Sequence, residues 1–229
     1  MDRLDKILSN LGLCSRRQAQ EYIRSHDITI EGKRVLDGAT KVDILNIQID
    51  GQKPDHPDGI FIMMNKPSGY VCSHEISEGS RIYDLLPPQW MKRDPVPSTI
   101  GRLDKDTTGL VLITDITKLN HRLSAPSKRI DKKYIVSVDK PLTPGLIEVF
   151  SSGKLLLHNE PKPCLPAKLE IIDDLNSAVT LHEGRYHQVK RMFAACGYNV
   201  VKLHREQFGQ YVLGDLEEGK FVDLEIPQI

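Results

Sequence analysis

The sequence predicts an α+β chain in two unequal parts, and three observations carry that reading. Apolar residues recur at helical spacing in some stretches and as short strand-like runs in others. They interleave without regular βαβ spacing and without a glycine-rich nucleotide loop. A polar stretch at 51–59, holding Gly51, Pro54, Pro57 and Gly59, divides a first part (1–50) from a second (60–229) and reads as a linker. In the second part, the runs at 60–64 and 110–113 have the length and composition of buried strands.

Taken in order, Leu4, Ile7, Leu8 and Leu11 repeat at helical spacing, and Gly12 follows as a stop. Ser15-Arg16-Arg17-Gln18 is a capping box, in which Ser15 caps the next turn and Gln18 reaches back. Ala19, Tyr22 and Ile23 give a second short amphipathic helix. Residues 28–30 and 33–35, joined by Glu31-Gly32, read as a hairpin, and 44–49 as one more strand. The run at 60–64 ends in the turn Lys66-Pro67-Ser68-Gly69, and a loop with Pro87, Pro88, Pro95 and Pro97 follows. Residues 132–138 alternate as a strand, 142–150 suit a helix and 178–181 a short strand. Residues 187–196 place Val189, Met192, Phe193 and Cys196 on one helical face, with Gly197 as the stop.

Composition narrows the function. Net charge is zero, with 27% charged and 39% hydrophobic residues, the profile of a soluble globular protein. There is no leader-like apolar segment near the start and no run approaching a membrane span, so a cytoplasmic chain with no membrane partner is expected. Four scattered cysteines without a C-x-x-C pair fit reduced thiols. The basic charge is concentrated: residues 182–205 carry five Lys or Arg against one acid, and 124–135 carry four against one. The tail at 206–229 is acidic. That distribution fits a nucleic-acid face better than the zero sum does.

The chemistry centres on Gly101-Arg102-Leu103-Asp104-Lys105-Asp106-Thr107-Thr108-Gly109-Leu110. A carboxylate in a tight glycine-flanked turn leading into a buried strand is fixed in space by that strand, and the adjacent Arg102 suits an anionic ligand. No P-loop, dinucleotide fingerprint or helix-borne H-E-x-x-H occurs, so neither cofactor nor metal is expected; His182, His187 and His204 read as surface or RNA-facing residues.

The whole string resembles the catalytic motif of the pseudouridine synthases, in the branch with an S4-type RNA-binding domain ahead of the catalytic one. Leu4-Asp5 and Ser15-Arg16 match the S4 pattern, Lys66-Pro67-Ser68-Gly69 the first synthase motif, and Glu183-Gly184-Arg185-Tyr186-His187-Gln188-Val189-Lys190-Arg191-Met192 the third. Tyr186-His187, with Leu203-His204-Arg205-Glu206, is closest to the RsuA family, which acts on small-subunit ribosomal RNA; large-subunit relatives tend to carry Asn-Arg or Phe-Arg at 186–187.

The resemblance implies an S4-like domain followed by a synthase domain on a mixed, largely antiparallel sheet with flanking helices. It implies a monomeric isomerase that needs no cofactor and converts one uridine of small-subunit (16S) RNA, uridine 516. By the same resemblance Asp104 is the catalytic carboxylate, Tyr134 stacks on the flipped base, Lys190 pairs with Asp104 and Arg102 contacts phosphate. RNA-binding positions carried over are Arg3, Lys6, Arg16, Arg17, Arg24 and Lys33 in the first part, and Arg185 and Arg191 in the second. Other readings are a large-subunit (23S) enzyme of the same branch, a non-catalytic S4-type assembly factor, and a base-excising glycosylase that would use Asp104 and release uracil.

Overall fold

The computed structural model describes residues 1–228. Its first part contains β1 (Asp2–Arg3), α1 (Leu4–Asn10), α2 (Ala19–Ser25), β2 (Ile28–Ile30), β3 (Lys33–Arg34), β4 (Lys41–Val42) and β5 (Ile47–Ile49). Leu4, Ile7, Leu8, Ile23, Ile28 and Ile47 form a core of their own, so the unit has an independent apolar centre. The expected hairpin forms: β2 pairs with β3 across Glu31 and Gly32, both at positive φ. Ser15 and Gln18 bond reciprocally as a capping box does, although the regular helix begins only at Ala19. The strand expected at 44–49 is shorter. The Asp43 carboxylate accepts from Leu45 N and winds Ile44–Asn46 into a 3-10 turn, which leaves β5 three residues.

The second part is built on one sheet. It comprises β6 (Phe61–Lys66), β7 (Ser98–Ile100), β8 (Thr108–Thr114), α3 (Thr117–Ser124), β9 (Lys132–Val138), α4 (Gly145–Ser151), β10 (Lys168–Ile171), β11 (Asn176–Leu181), α5 (Gln188–Ala195), β12 (Val200–Phe208), β13 (Tyr211–Val212) and β14 (Phe221–Asp223). Strand order is β10-β11-β9-β12-β8-β6-β14, with β13 added to β12 and β7 to β8. Among the strand pairs of this sheet in the described residues, β12–β8 is the parallel one and the others are antiparallel. The apolar runs are explained by double-sided burial. Val111 and Ile113 of β8 face one core with Ile62 and Met64, while Leu110 and Leu112 face a second core with Phe61 and Met63. Gly109 marks the parallel crossing: its φ is +103°, and a Cβ there would sit 2.3 Å from the Arg205 carbonyl oxygen.

The segment at 51–59, expected as the linker, is pinned to the second part. Arg93 pairs with Asp115 at 2.7 Å, both side chains 6% exposed, and donates to the carbonyls of Asp55 and His56. Trp90 Nε1 donates to the Asp55 carboxylate at 2.6 Å. The two parts also touch at Gly12. Its carbonyl accepts from Gln89 Nε2 at 2.7 Å, Asn10 O accepts from Asp94 N, and a Cβ on Gly12 would lie 2.6 Å from the Lys92 carbonyl carbon. Gly12→Ala is therefore expected to cost the full chain about 2–3 kcal/mol, from overpacking together with a φ of +70°. Urea unfolding measures this; a loss of only about 1 kcal/mol would mean that the left-handed backbone alone is responsible.

Candidate active site

The sheet order brings the expected chemistry to one place. β12 lies between β9 and β8, and register aligns Tyr134, Arg205 and Gly109 across the three strands. The Asp104 turn precedes Gly109 on β8 by five residues, so it stands at the rim beside Tyr134. A cavity of about 630 Å³ opens there, within the usual range for ligand pockets, lined among others by Arg102, Asp104, Tyr134, Arg185 and His187.

The turn is held from beneath. Lys66, fully buried at the end of β6, donates to the carbonyls of Pro67, Lys105 and Thr107 at 2.9, 3.1 and 2.7 Å. Burial pulls the Lys66 ammonium below the usual lysine range, partly opposed by the charges of Cys72, Asp106 and Asp104. Gly69 N donates to the Lys105 carbonyl, closing the turn against the Lys-Pro-x-Gly segment. The lysine of that motif is thus a clamp on the Asp104 turn, a role that its place in a surface-like turn sequence did not reveal.

Asp104 is partly exposed and faces a lysine and a histidine. Lys190 Nζ lies 3.3 Å from Asp104 Oδ2, and His187 Nε2 lies 3.3 Å from Asp104 Oδ1. Lys190 is shared: its shorter contact, 2.5 Å, is a hydrogen bond to Asp106 Oδ1. Burial opposes the charge on Lys190, but the hydrogen bond to Asp106 and the charge of Asp104 outweigh it, and its pKa rises. The hydrogen bond from Lys190 in turn holds Asp106 below the usual carboxylate range, with added help from the charges of Lys190 and His187. Asp106 and His187 were not singled out from the sequence as carboxylate partners. The only available signal for His187 was that it precedes the helix carrying Lys190.

Other expected site residues divide into two groups. Arg102 is exposed at the cavity, and among the described residues its side chain makes no hydrogen bond or ion pair. Tyr134 is buried in the cavity wall. Arg17, Arg24 and Lys33 are exposed and unpaired among the described residues, whereas Arg3 and Arg16 engage Asp5 and Lys6 engages Asp2. Arg185 and Arg191, expected to face RNA, are partly exposed and have their guanidiniums engaged within the chain. Arg185 donates to the carbonyls of Lys162 and Pro163 and pairs with Glu183; Arg191 donates to the carbonyls of His158 and Tyr186 and pairs with Glu160. Their guanidinium forks tie the 158–163 loop to the start of α5, because the local backbone offers carbonyls in fork geometry. His204 is also not a surface residue. It is half-buried, 2.8 Å from Thr108 Oγ1, and burial lowers its pKa.

Comparisons with known proteins match both parts of the chain. Residues 60–195 match the family model described as RNA pseudouridylate synthase, and residues 2–44 match the S4 domain model. The ribosomal small subunit pseudouridine synthase A of Pasteurella multocida is 42% identical over 231 residues, covering 99% of this chain and 97% of that protein. The protein of the same name from Escherichia coli K12 is 39% identical, covering 96% and 94%. A crystal structure of a pseudouridylate synthase superposes with a TM-score of 0.68 at 38% identity, covering 98% of this chain and 96% of that one.

Proposed function

We propose that this chain, which belongs to the RNA pseudouridylate synthase family in its S4-bearing RsuA branch, converts one uridine of small-subunit ribosomal RNA to pseudouridine. The chain is a pseudouridine synthase, an isomerase. The choice of the small-subunit RNA rests on the relatives' names, and the roles of individual residues on the site geometry. The observation that carries the reading is the Asp104 carboxylate, held between Lys190 and His187 at the rim of a cavity walled by Tyr134.

The reaction breaks the N1–C1′ bond, turns the uracil and joins C5 to C1′; the C5 proton leaves and N1 gains one, so nothing is oxidised or hydrolysed. A base inside folded RNA must first leave its stack. The cavity then receives the uracil against the Tyr134 ring, Arg102 stands free for a phosphate, and Asp104 acts at the sugar as nucleophile or as base. Mapping pseudouridines in ribosomal RNA from cells lacking this protein tests the reading. One site in small-subunit RNA, uridine 516 by resemblance, should revert to uridine; loss of a large-subunit site instead would reassign the target.

The first part contributes phosphate contacts in this reading. Because it is docked on the second through Gly12, substitution is a cleaner test than deletion. Replacing Arg17, Arg24 and Lys33 together by Gln should weaken RNA binding, and each lost phosphate contact should flatten the slope of log affinity against log salt by about 0.9. An unchanged slope would mean that these three residues do not touch RNA.

A further inference from the structure

We infer that Tyr186 and His187 form a two-ring stack that receives an unpaired base of the RNA next to the reacting uridine. This rests on the synthase reading and adds to it a second aromatic contact, separate from Tyr134. The two rings are 3.8 Å apart between centroids and inclined by 19°, which is parallel stacking. Tyr186 is 72% exposed, unusual for a large aromatic ring, so its outer face is open to solvent. His187 is tied to the catalytic carboxylate, with Nε2 3.3 Å from Asp104 Oδ1, so the stack stands at the reacting centre and not on a remote face.

Its backbone is also committed to this arrangement. His187 has φ +48°, a left-handed conformation that costs a non-glycine residue about 1 kcal/mol or more and that clusters at functional sites. The surroundings hold it there: Arg185 N donates to Gln188 Oε1, Gln188 Nε2 donates to Glu183 Oε1, and Arg191 donates to the Tyr186 carbonyl. The backbone beneath the two rings is thus fixed before any ligand arrives.

A flat ring pair, open on one side and built beside a carboxylate that acts on a nucleotide, suits the π-face of a base. Single-stranded RNA bases are recognised by stacking of this kind. The flanking guanidiniums of Arg185 and Arg191 are engaged with carbonyls and with Glu183 and Glu160, so at this point of the site the open ring of Tyr186 is the group left to meet the RNA.

The test uses the full chain and a short RNA hairpin carrying the target uridine, with 2-aminopurine placed in turn at each flanking position. Binding of the wild-type protein should quench the fluorophore at one position. Tyr186→Phe should keep the quench, while Tyr186→Ala should lose it and raise KM or Kd about tenfold with little change in kcat. Tyr186 is exposed, so the Ala variant tests contact and not folding. Quench and affinity unchanged in Tyr186→Ala would overturn the inference, as would a Phe variant that behaves like the Ala one, since that would point to the hydroxyl. A wild-type protein that converts no uridine in any ribosomal RNA would instead sink the synthase reading.

Discussion

Asp104→Asn is expected to leave RNA binding intact and to lower pseudouridine formation by at least about 10³-fold, the scale set by losing a positioned catalytic group. The substitution keeps the shape of the side chain and its place in the turn, because Lys66 and Gly69 hold that turn through the backbone of its neighbours. What disappears is one negative charge beside Lys190 and His187. The site becomes more positive, so affinity for a polyanion should stay level or rise while turnover vanishes. Filter binding together with product analysis separates the two effects. Appreciable turnover in the Asn variant would remove Asp104 from the chemistry. Free uracil released by the wild-type protein would replace the isomerase reading with a glycosylase one.

Much of the sheet was legible because strand signals are local. The 110–113 run lies within β8, the 132–138 alternation coincides with β9, and Gly12, Glu31-Gly32 and Gly197 stand where positive φ ends a helix or turns a hairpin. β7, β10, β12, β13, β14 and helix α3 were missed: β7, β10, β13 and β14 are two to four residues long, β7 follows a proline-rich loop, and β12, though nine residues long, carries Lys202, His204, Arg205 and Glu206 among its apolar positions and so lacks a clean strand pattern. Within the site, motif order located Asp104, Tyr134 and Lys190 on neighbouring elements. Sequence could not say which carboxylate a lysine reaches, and here the shorter bond goes to Asp106. Nor could it separate arginines that meet solvent from those spent on carbonyls. Arg102 and Arg185 look alike in a string, but Arg185 lies against the 162–163 backbone and Arg102 does not. That difference depends on chain segments twenty or more residues away.

The sharing of Lys190 changes what its removal should do. The depressed pKa of Asp106 means that the Lys190–Asp106 pair stabilises the fold above the usual carboxylate range; the contribution is lost as pH falls through the folded value. At neutral pH the pair is therefore fully formed. In Lys190→Met two neighbouring carboxylates lose their shared ammonium, and proton uptake at the site becomes easier through like-charge repulsion and partial burial. The acid limb of the kcat/KM profile should move upward, with the rate falling below the displaced limb and recovering in part as pH rises past it. His187 still faces Asp104 Oδ1, so some activity should remain. Lys190→Arg should retain much of the rate, and Asp106→Asn should retain most of it, because the ammonium is then left to Asp104 alone. A Met variant with a near-normal rate and an unmoved acid limb would make Lys190 a bystander. If Asp106→Asn instead proves as damaging as Lys190→Met, the lysine acts by fixing Asp106, and His187 becomes the next candidate for the partner of Asp104.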